Sequence, residues 1–166
     1  MLPMRPTRYG LWLLLAVAIV LLDLATKQLA MQHLELYRPN AVFSWLNLTL
    51  AHNTGAAFSF LAGGSGWQRW FLSVVAVIIV AVLLVWLWRL PHRARLLPSA
   101  LALVIGGAIG NLVDRIRFGY VVDFIDIHYA DWHWPAFNVA DSAIVVGVIL
   151  LLLDSLLPGR RIHHHE

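Results

Sequence analysis

Two aspartates in apolar surroundings are the residues of this chain best suited to do chemistry. Asp141 lies a few residues into a long apolar run, and Asp123 is flanked by apolar residues on both sides. Two carboxylates that share a site cannot both ionise cheaply, which leaves one as a base to activate water and the other as an acid. Such a pair can hydrolyse a peptide bond without a metal or a covalent intermediate. Taken alone, Asp141 also fits a carboxylate that binds the free amides at a helix start.

Asp23 and Lys27 form a second candidate group. They lie four residues apart, in the order that favours an ion pair on a helix. Inserting an ionisable group at mid-membrane costs roughly 2.5 to 3.5 kcal/mol, so we expect each such group either to pair with another side chain or to have a function. Two interpretations stay open, a local salt bridge near the membrane surface and a support for the aspartate site.

A third polar group lies further along the chain. Asn111, Asp114 and Arg115 are spaced to share one face of a helix, and they follow Gly106 and Gly110. Small residues four apart let helices pack closely. The group is therefore either part of a functional site or a polar corner at a tight helix contact.

The sequence lacks the residue patterns that cysteine, serine or metal-dependent hydrolases require. The chain has no cysteine, which excludes disulfides and thiolate nucleophiles or ligands. It has neither a His-Glu metal-binding helix pattern nor a serine in a Gly-x-Ser-x-Gly turn. His52, His128 and His133 are too scattered to indicate a metal site. We expect neither a metal nor a cofactor.

The elements that must position these residues are membrane helices. The chain is 60% hydrophobic and only 13% charged, and its basic residues are scattered at the ends of apolar runs, which argues against nucleic-acid binding. Four stretches approach the roughly 20 apolar residues that cross a bilayer, namely 9–26, 70–88, 96–113 and 136–157. The first lacks a small-residue cleavage pattern, so we interpret it as a retained helix. We predict one membrane domain over 1–166, an all-α bundle of four transmembrane helices; the histidine-rich stretch 162–166 resembles a tag remnant.

Basic residues predict the orientation of these helices. Arginines flank one set of helix ends, at positions 5, 8, 89, 93, 95, 160 and 161, so both termini should be cytoplasmic. Segments 27–69 and 114–135 are then extracytoplasmic. In the first, alternating residues at 46–50, a turn at 53–55 and a second strand at 56–60 predict a small β-sheet. The second, rich in aromatic residues, predicts an interfacial loop or helix. We expect 124–135 to act as a lid over the aspartates, and the alternative is that its aromatic rings only anchor it at the membrane surface.

Four blocks of this sequence resemble the signature blocks of the lipoprotein signal peptidases, also called signal peptidase II. They occupy 53–59, 106–115, 121–124 and 137–142 in the family's order, and Asp23 with Lys27 matches a further block in the first helix. No departure falls within the blocks. The stretch between 123 and 137 and the two tails look variable.

The resemblance implies an aspartyl endopeptidase in which Asp123 and Asp141 are the catalytic pair. It places six further residues around the substrate: Asn53, Gly55, Asn111, Arg115, Asn138 and Ala140. Asp23, Lys27 and Asp114 would support the site.

The resemblance also implies the substrate, a prolipoprotein whose cysteine already carries diacylglycerol and which is cut just before that cysteine. The family's members are bacterial inner-membrane proteins inhibited by globomycin. We expect the chain to act as a monomer among membrane lipids, with its site near the periplasmic face.

Two functions of other classes remain open on the residues alone. In a small proton-coupled transporter or channel subunit, Asp23, Asp123 and Asp141 would relay protons. A membrane scaffold without enzymatic activity would tolerate neutralisation of both Asp123 and Asp141.

Overall fold

Four long apolar helices form the body of the protein. The structure, a computed structural model, describes residues 6–55, 66–91 and 94–156. The helices are α1 (Pro6–His33), α2 (Trp67–Arg89), α3 (Leu96–Phe118) and α4 (Val139–Leu156), and each is long and apolar enough to cross a membrane. The predicted four-helix membrane fold is confirmed.

Two helices run well past their predicted ends. Helix α1 continues beyond Thr26 to His33, and α3 continues beyond Val113 to Phe118. In both cases the first residues of the extension include a buried charged side chain, Lys27 in α1 and Asp114 in α3. Because these two side chains pair with each other, the charge does not end the helix at the apolar boundary.

Helix α3 is the centre of the bundle. The other three helices pack against it, and more than half of its most apolar stretch is buried. Glycines allow the neighbouring helices to lie close to α3. A Cβ on Gly106 would lie 2.7 Å from the Ala16 carbonyl oxygen of α1, and a Cβ on Gly107 would collide with the Ala140 carbonyl oxygen of α4. The spacing of small residues in α3 therefore marks helix contacts, as the sequence predicts.

A four-stranded antiparallel sheet lies beyond one end of the bundle. Its strands are β1 (Asn40–Phe43), β2 (Leu46–Asn53), β3 (Val121–Tyr129) and β4 (Trp132–His133), in the order β1-β2-β3-β4. The predicted strand at 46–50 is confirmed as part of β2. The second predicted strand, at 56–60, lies outside the described residues.

The outer segment 114–135 differs from the interfacial loop or helix that the sequence predicts. It starts as the last turns of α3, which Gly119 caps with φ 85°, and continues as β3 and β4. Pairing with β2 explains the strand, with Asn53 opposite Val121 and Leu46 opposite Ile127. The stretch expected to be a lid is a β-hairpin built into this sheet.

Backbone hydrogen bonds close the base of that hairpin. The amides of Phe124 and Ile125 both donate to the Phe137 carbonyl, and the Phe137 amide donates to the Ile125 carbonyl. Each of these bonds would have to break if the segment moved as a lid.

Candidate active site

The first turn of α4 carries one of the two candidate aspartates. Asn138 precedes the helix, and its Oδ1 accepts the amide hydrogen of Asp141 at 2.9 Å. In return the Asp141 Oδ2 accepts the amide hydrogen of Asn138 at 3.3 Å. This reciprocal pair is a capping box, and it holds the Asp141 carboxylate at the helix N-terminus, where negative charge is stabilised.

Asn138 also binds the second aspartate. Its Nδ2 donates to the Asp123 Oδ1 at 2.7 Å and to the Asn111 Oδ1 at 3.1 Å, and the Asn138 side chain is fully buried. Asn111 then donates from its own Nδ2 to the Asp141 Oδ1 at 2.7 Å. Two asparagines therefore join Asp123 on β3 to Asp141 on α4.

Asp123 is buried and its carboxyl group holds a proton unusually strongly. Only 2% of the residue is exposed, and the Asn53 Nδ2 donates to its Oδ2 at 3.1 Å. Burial, and then the nearby charge of Asp141, raise the pKa of Asp123 to about 7, although hydrogen bonds from Asn53 and Asn138 act in the opposite direction. A carboxyl group that keeps its proton near neutral pH is suited to act as a general acid.

Lys27 lies behind the aspartates, and its ammonium group contacts three other side chains. Its Nζ is 2.7 Å from Asp23 Oδ2, 2.9 Å from Asp114 Oδ2 and 3.0 Å from Asn111 Oδ1. All four side chains are buried. The local salt bridge between Asp23 and Lys27 is thus part of a larger network that joins α1 to α3.

The two carboxylates bound to Lys27 each hold the backbone next to a candidate aspartate. The Asp23 Oδ1 accepts the amide hydrogen of Ala140 at 2.9 Å, one residue before Asp141. The Asp114 Oδ2 accepts the amide hydrogen of Val122 at 3.1 Å, one residue before Asp123. One ammonium group therefore supports the positions of both aspartates through their main chains.

Arg115 and Asn53 shape the third side of the site. Asn53 ends β2, and its Oδ1 accepts the amide hydrogen of Gly55 at 3.0 Å while its Nδ2 binds Asp123. The Arg115 guanidinium donates to the Gly55 carbonyl oxygen at 3.2 Å. The turn that follows β2 is thereby fixed against α3, beside the aspartates.

A cavity of about 380 Å³ opens beside these residues. Asp141, Asn53, Asn111 and Arg115 provide its polar wall. Its apolar wall comes from α2, α4 and the segment before α4, through Leu72, Val75, Ala76, Ile79, Pro135, Ala136, Phe137, Ile144 and Val145. A ligand with an apolar chain and one polar, extended segment would match these two walls, with the apolar chain against α2 and α4 and the polar segment against the polar wall.

All the site residues expected from the sequence come together here. The set is Asp23, Lys27, Asn53, Gly55, Asn111, Asp114, Arg115, Asp123, Asn138, Ala140 and Asp141, joined by the hydrogen bonds and ion pairs above. They gather at one end of the bundle, whereas a proton relay would need groups spread through the membrane.

The sequence did not indicate the part that α2 plays in the site. Leu72, Val75, Ala76 and Ile79 share one face of that helix, but α2 is apolar on every face, so nothing distinguishes the cavity side. Within residues 6–55, 66–91 and 94–156, no cluster of three or more histidine, aspartate or glutamate side chains is arranged to hold a metal ion.

Comparison with known proteins gives one consistent result. The family model described as Signal peptidase (SPase) II matches residues 15–157. The chain is 51% identical over 146 residues to a lipoprotein signal peptidase of Photorhabdus laumondii, covering 88% of this chain and 87% of the relative. It is 55% identical over 148 residues to the lipoprotein signal peptidase of Pseudomonas putida, covering 86% of this chain and 85% of the relative.

A solved structure agrees with these relatives. A bacterial membrane enzyme determined by the in meso method at 2.3 Å resolution superposes with a TM-score of 0.77 at 32% identity, covering 92% of this chain and 94% of the other. Family model, relatives and fold agree over nearly the whole chain. The chain belongs to the signal peptidase II family of membrane peptidases.

Proposed function

We propose that this protein is an intramembrane aspartyl endopeptidase that removes signal peptides from diacylglyceryl-modified prolipoproteins by cleaving just before the lipidated cysteine. The observation that carries the proposal is the hydrogen bonding of Asn138 to both Asp123 and Asp141, together with the position of Asp141 in the wall of a largely apolar cavity. Relatives named lipoprotein signal peptidase, about half identical to this chain, supply the substrate class.

In this mechanism Asp141 is the base and Asp123 the acid. The Asp141 carboxylate takes a proton from water as the water oxygen attacks the scissile carbonyl carbon, and Asp123 gives its proton to the carbonyl oxygen. Asp141 then returns its proton to the leaving nitrogen as the carbon–nitrogen bond breaks, and Asp123 recovers a proton from the diol. The raised pKa of Asp123 supports this assignment, since it keeps that carboxyl protonated up to about pH 7.

The cavity supports a substrate that enters from the lipid. Its apolar side lies between α2 and α4, and side chains of α2 such as Val74 and Ile78 are exposed on the outside of the bundle. A signal helix and acyl chains would approach between these two helices. The polar wall at Asn53, Asn111 and Arg115 would then bind the extended peptide around the cleaved bond.

We further propose the cellular setting. Arginines near one set of helix ends, such as Arg8 and Arg89, favour a cytoplasmic location for both termini, which puts the aspartates near the periplasmic face of a bacterial inner membrane. The chain acts there as a single domain and a monomer, surrounded by membrane lipid, and binds globomycin-type inhibitors at the same site.

Replacement of either aspartate tests this function directly. Asp123→Asn and Asp141→Asn should each lower cleavage of a lipidated precursor by roughly 10²- to 10⁴-fold, because each removes one proton-transfer group. Asp131→Asn is the matched control, since Asp131 lies in the exposed turn between β3 and β4. The assay compares purified variants on a lipidated and an unlipidated precursor.

Both variants should keep the fold, which thermal unfolding and inhibitor binding can show. Near-wild-type cleavage by either single variant would exclude the paired-aspartate mechanism. Equal cleavage of the unlipidated precursor would exclude the substrate requirement while leaving the mechanism in place.

A further inference from the structure

A second concave site lies at the end of the bundle opposite the aspartates. It is a groove of about 530 Å³ between the start of α1 and the last turns of α2, lined by Tyr9, Leu84, Val85, Trp88 and Arg89. None of these five residues contributes to the peptidase cavity.

The groove exists because α1 and α2 both pack mainly on α3 and little on each other. At its edge Tyr9 and Trp88 meet edge to face, with ring centroids 5.1 Å apart and planes at 87°. Val85 and Trp88 remain about half exposed, at 51% and 43%. The groove is therefore open to the surrounding lipid along α2.

The charge at this end of the bundle is unbalanced. Arg89 lies in the last turn of α2 and makes no ion pair within residues 6–55, 66–91 and 94–156. In those same ranges the helix ends here hold Arg8, Arg89 and Arg95 against one carboxylate, Asp154. An arginine beside two amphipathic aromatic rings, at the depth where a membrane helix ends, is suited to a phosphate group at the bilayer surface.

We propose that this groove binds one anionic phospholipid from the adjacent leaflet. The phosphate lies at Arg89, the Tyr9 hydroxyl and Trp88 indole face the glycerol region, and an acyl chain runs along Leu84 and Val85. The lipid fills the gap between α1 and α2, two helices that pack mainly on α3 and little on each other. This site is separate from the proposed peptidase function and does not rest on it.

The test measures lipid binding to the whole protein. Delipidated protein in detergent is titrated with phosphatidylglycerol or with phosphatidylcholine, and native mass spectrometry counts the lipids retained. We expect one phosphatidylglycerol to bind at least about tenfold more tightly than phosphatidylcholine, and Arg89→Gln to weaken phosphatidylglycerol binding by about tenfold, as expected for loss of a charge-assisted hydrogen bond.

Two further variants separate the groove from its surroundings. Arg95→Gln removes an exposed arginine at the same end that does not line the groove, and it should leave the binding unchanged. Val85→Trp keeps every charge but fills the groove, and it should weaken binding of phosphatidylglycerol. The proposal is overturned if Arg89→Gln and Arg95→Gln weaken binding equally, or if the two lipids bind equally well. Precursor cleavage, measured in parallel, reports on the peptidase independently.

Discussion

Asn138 determines more of the active site than either aspartate does. Its side-chain amide donates to the Asp123 carboxylate, and its main-chain amide donates to the Asp141 carboxylate. Its side-chain oxygen also caps the helix that carries Asp141. Substitution of Asn138 would therefore alter a helix start and the proposed catalytic pair at once. The aspartates differ because their surroundings differ: Asp141 lies at a helix N-terminus and lines the cavity, whereas Asp123 is buried on β3.

The pH dependence of activity should follow from Asp123. Because burial and the charge of Asp141 raise the pKa of this carboxyl to about 7, it loses its proton as the pH rises through neutrality. Cleavage of a lipidated precursor should therefore decline above about pH 7, with a slope of one proton in the single-turnover rate. A single-turnover rate that stays constant up to pH 9 would contradict the assignment of Asp123 as the acid.

The carboxyl group of Asp123 should also make the free energy of unfolding depend on pH. Unfolded Asp123 releases its proton near 3.8 and folded Asp123 near about 7, so between these values the folded state holds a proton that the unfolded state has lost. Its contribution to the free energy of unfolding therefore falls as the pH rises through this window and levels off above it. Asp123→Asn should remove this decline, which thermal unfolding at pH 4.5 and 7.5 would show by comparison with wild type.

At the scale of elements, one lysine holds four segments together. Lys27 on α1 pairs with Asp23 on the same helix and with Asp114 on α3. Those carboxylates in turn bind the main chain of α4 at Ala140 and of β3 at Val122. The network fixes how the helices and the sheet meet, and the aspartates lie where they meet.

Loss of Lys27 should therefore be costly. Lys27→Met leaves two buried carboxylates without their counter-ion, and we expect it to destabilise the protein by about 3 to 5 kcal/mol and to reduce cleavage. Arg38→Met is the matched control, because the pair of Arg38 with Glu35 is exposed and should contribute about 1 kcal/mol or less. The measurement is thermal or denaturant unfolding in detergent, and equal effects of the two variants would contradict the role of the network.

The contact between α3 and α4 offers a second test at this scale. A Cβ on Gly107 would collide with the main chain of Ala140, so Gly107→Ala must push α4 away from α3 and with it Asp141. We expect a loss of about 1 to 3 kcal/mol and a clear fall in cleavage. Gly10→Ala in α1 meets nothing within 4 Å and should have little effect on either measurement. Wild-type cleavage by Gly107→Ala would show that the close approach is not needed.

At the scale of the whole molecule, the arginine distribution predicts how the bundle lies in the membrane. Because the chain has no cysteine, single cysteines can be placed at Arg38, on the sheet side, and at Arg95, at the start of α3. An impermeant thiol reagent added to spheroplasts should label the Arg38 position and not the Arg95 position. Labelling of both positions in sealed cells would contradict the orientation.

The sequence predicted the parts of this molecule that depend on local pattern. Four apolar runs predicted four helices, and the position of Asp141 at the start of a helix was predictable because it depends on neighbouring residues. The helix extensions past Thr26 and Val113 were not predictable, since they depend on a contact between Lys27 and Asp114 that is remote in the chain.

The sheet was only partly predictable for the same reason. Strand β3 pairs with β2, a segment about seventy residues earlier, and its aromatic and apolar side chains also fit a membrane surface. The local sequence does not distinguish a strand that pairs with β2 from a segment that lies at the membrane surface. Strand β1 is short and exposed, and no periodicity marks it.

The dependence of the site on α4 has a consequence for biosynthesis. Asp23 and Lys27 enter the membrane together on the first helix, where they can neutralise each other, but the amide that Asp23 binds belongs to Ala140, more than one hundred residues later. Asn138 and Asp141 also arrive with that final helix. A ribosome-bound chain that has inserted only its first three helices therefore lacks the proposed catalytic Asp141, and we expect it to gain peptidase activity only when the last helix packs against α3.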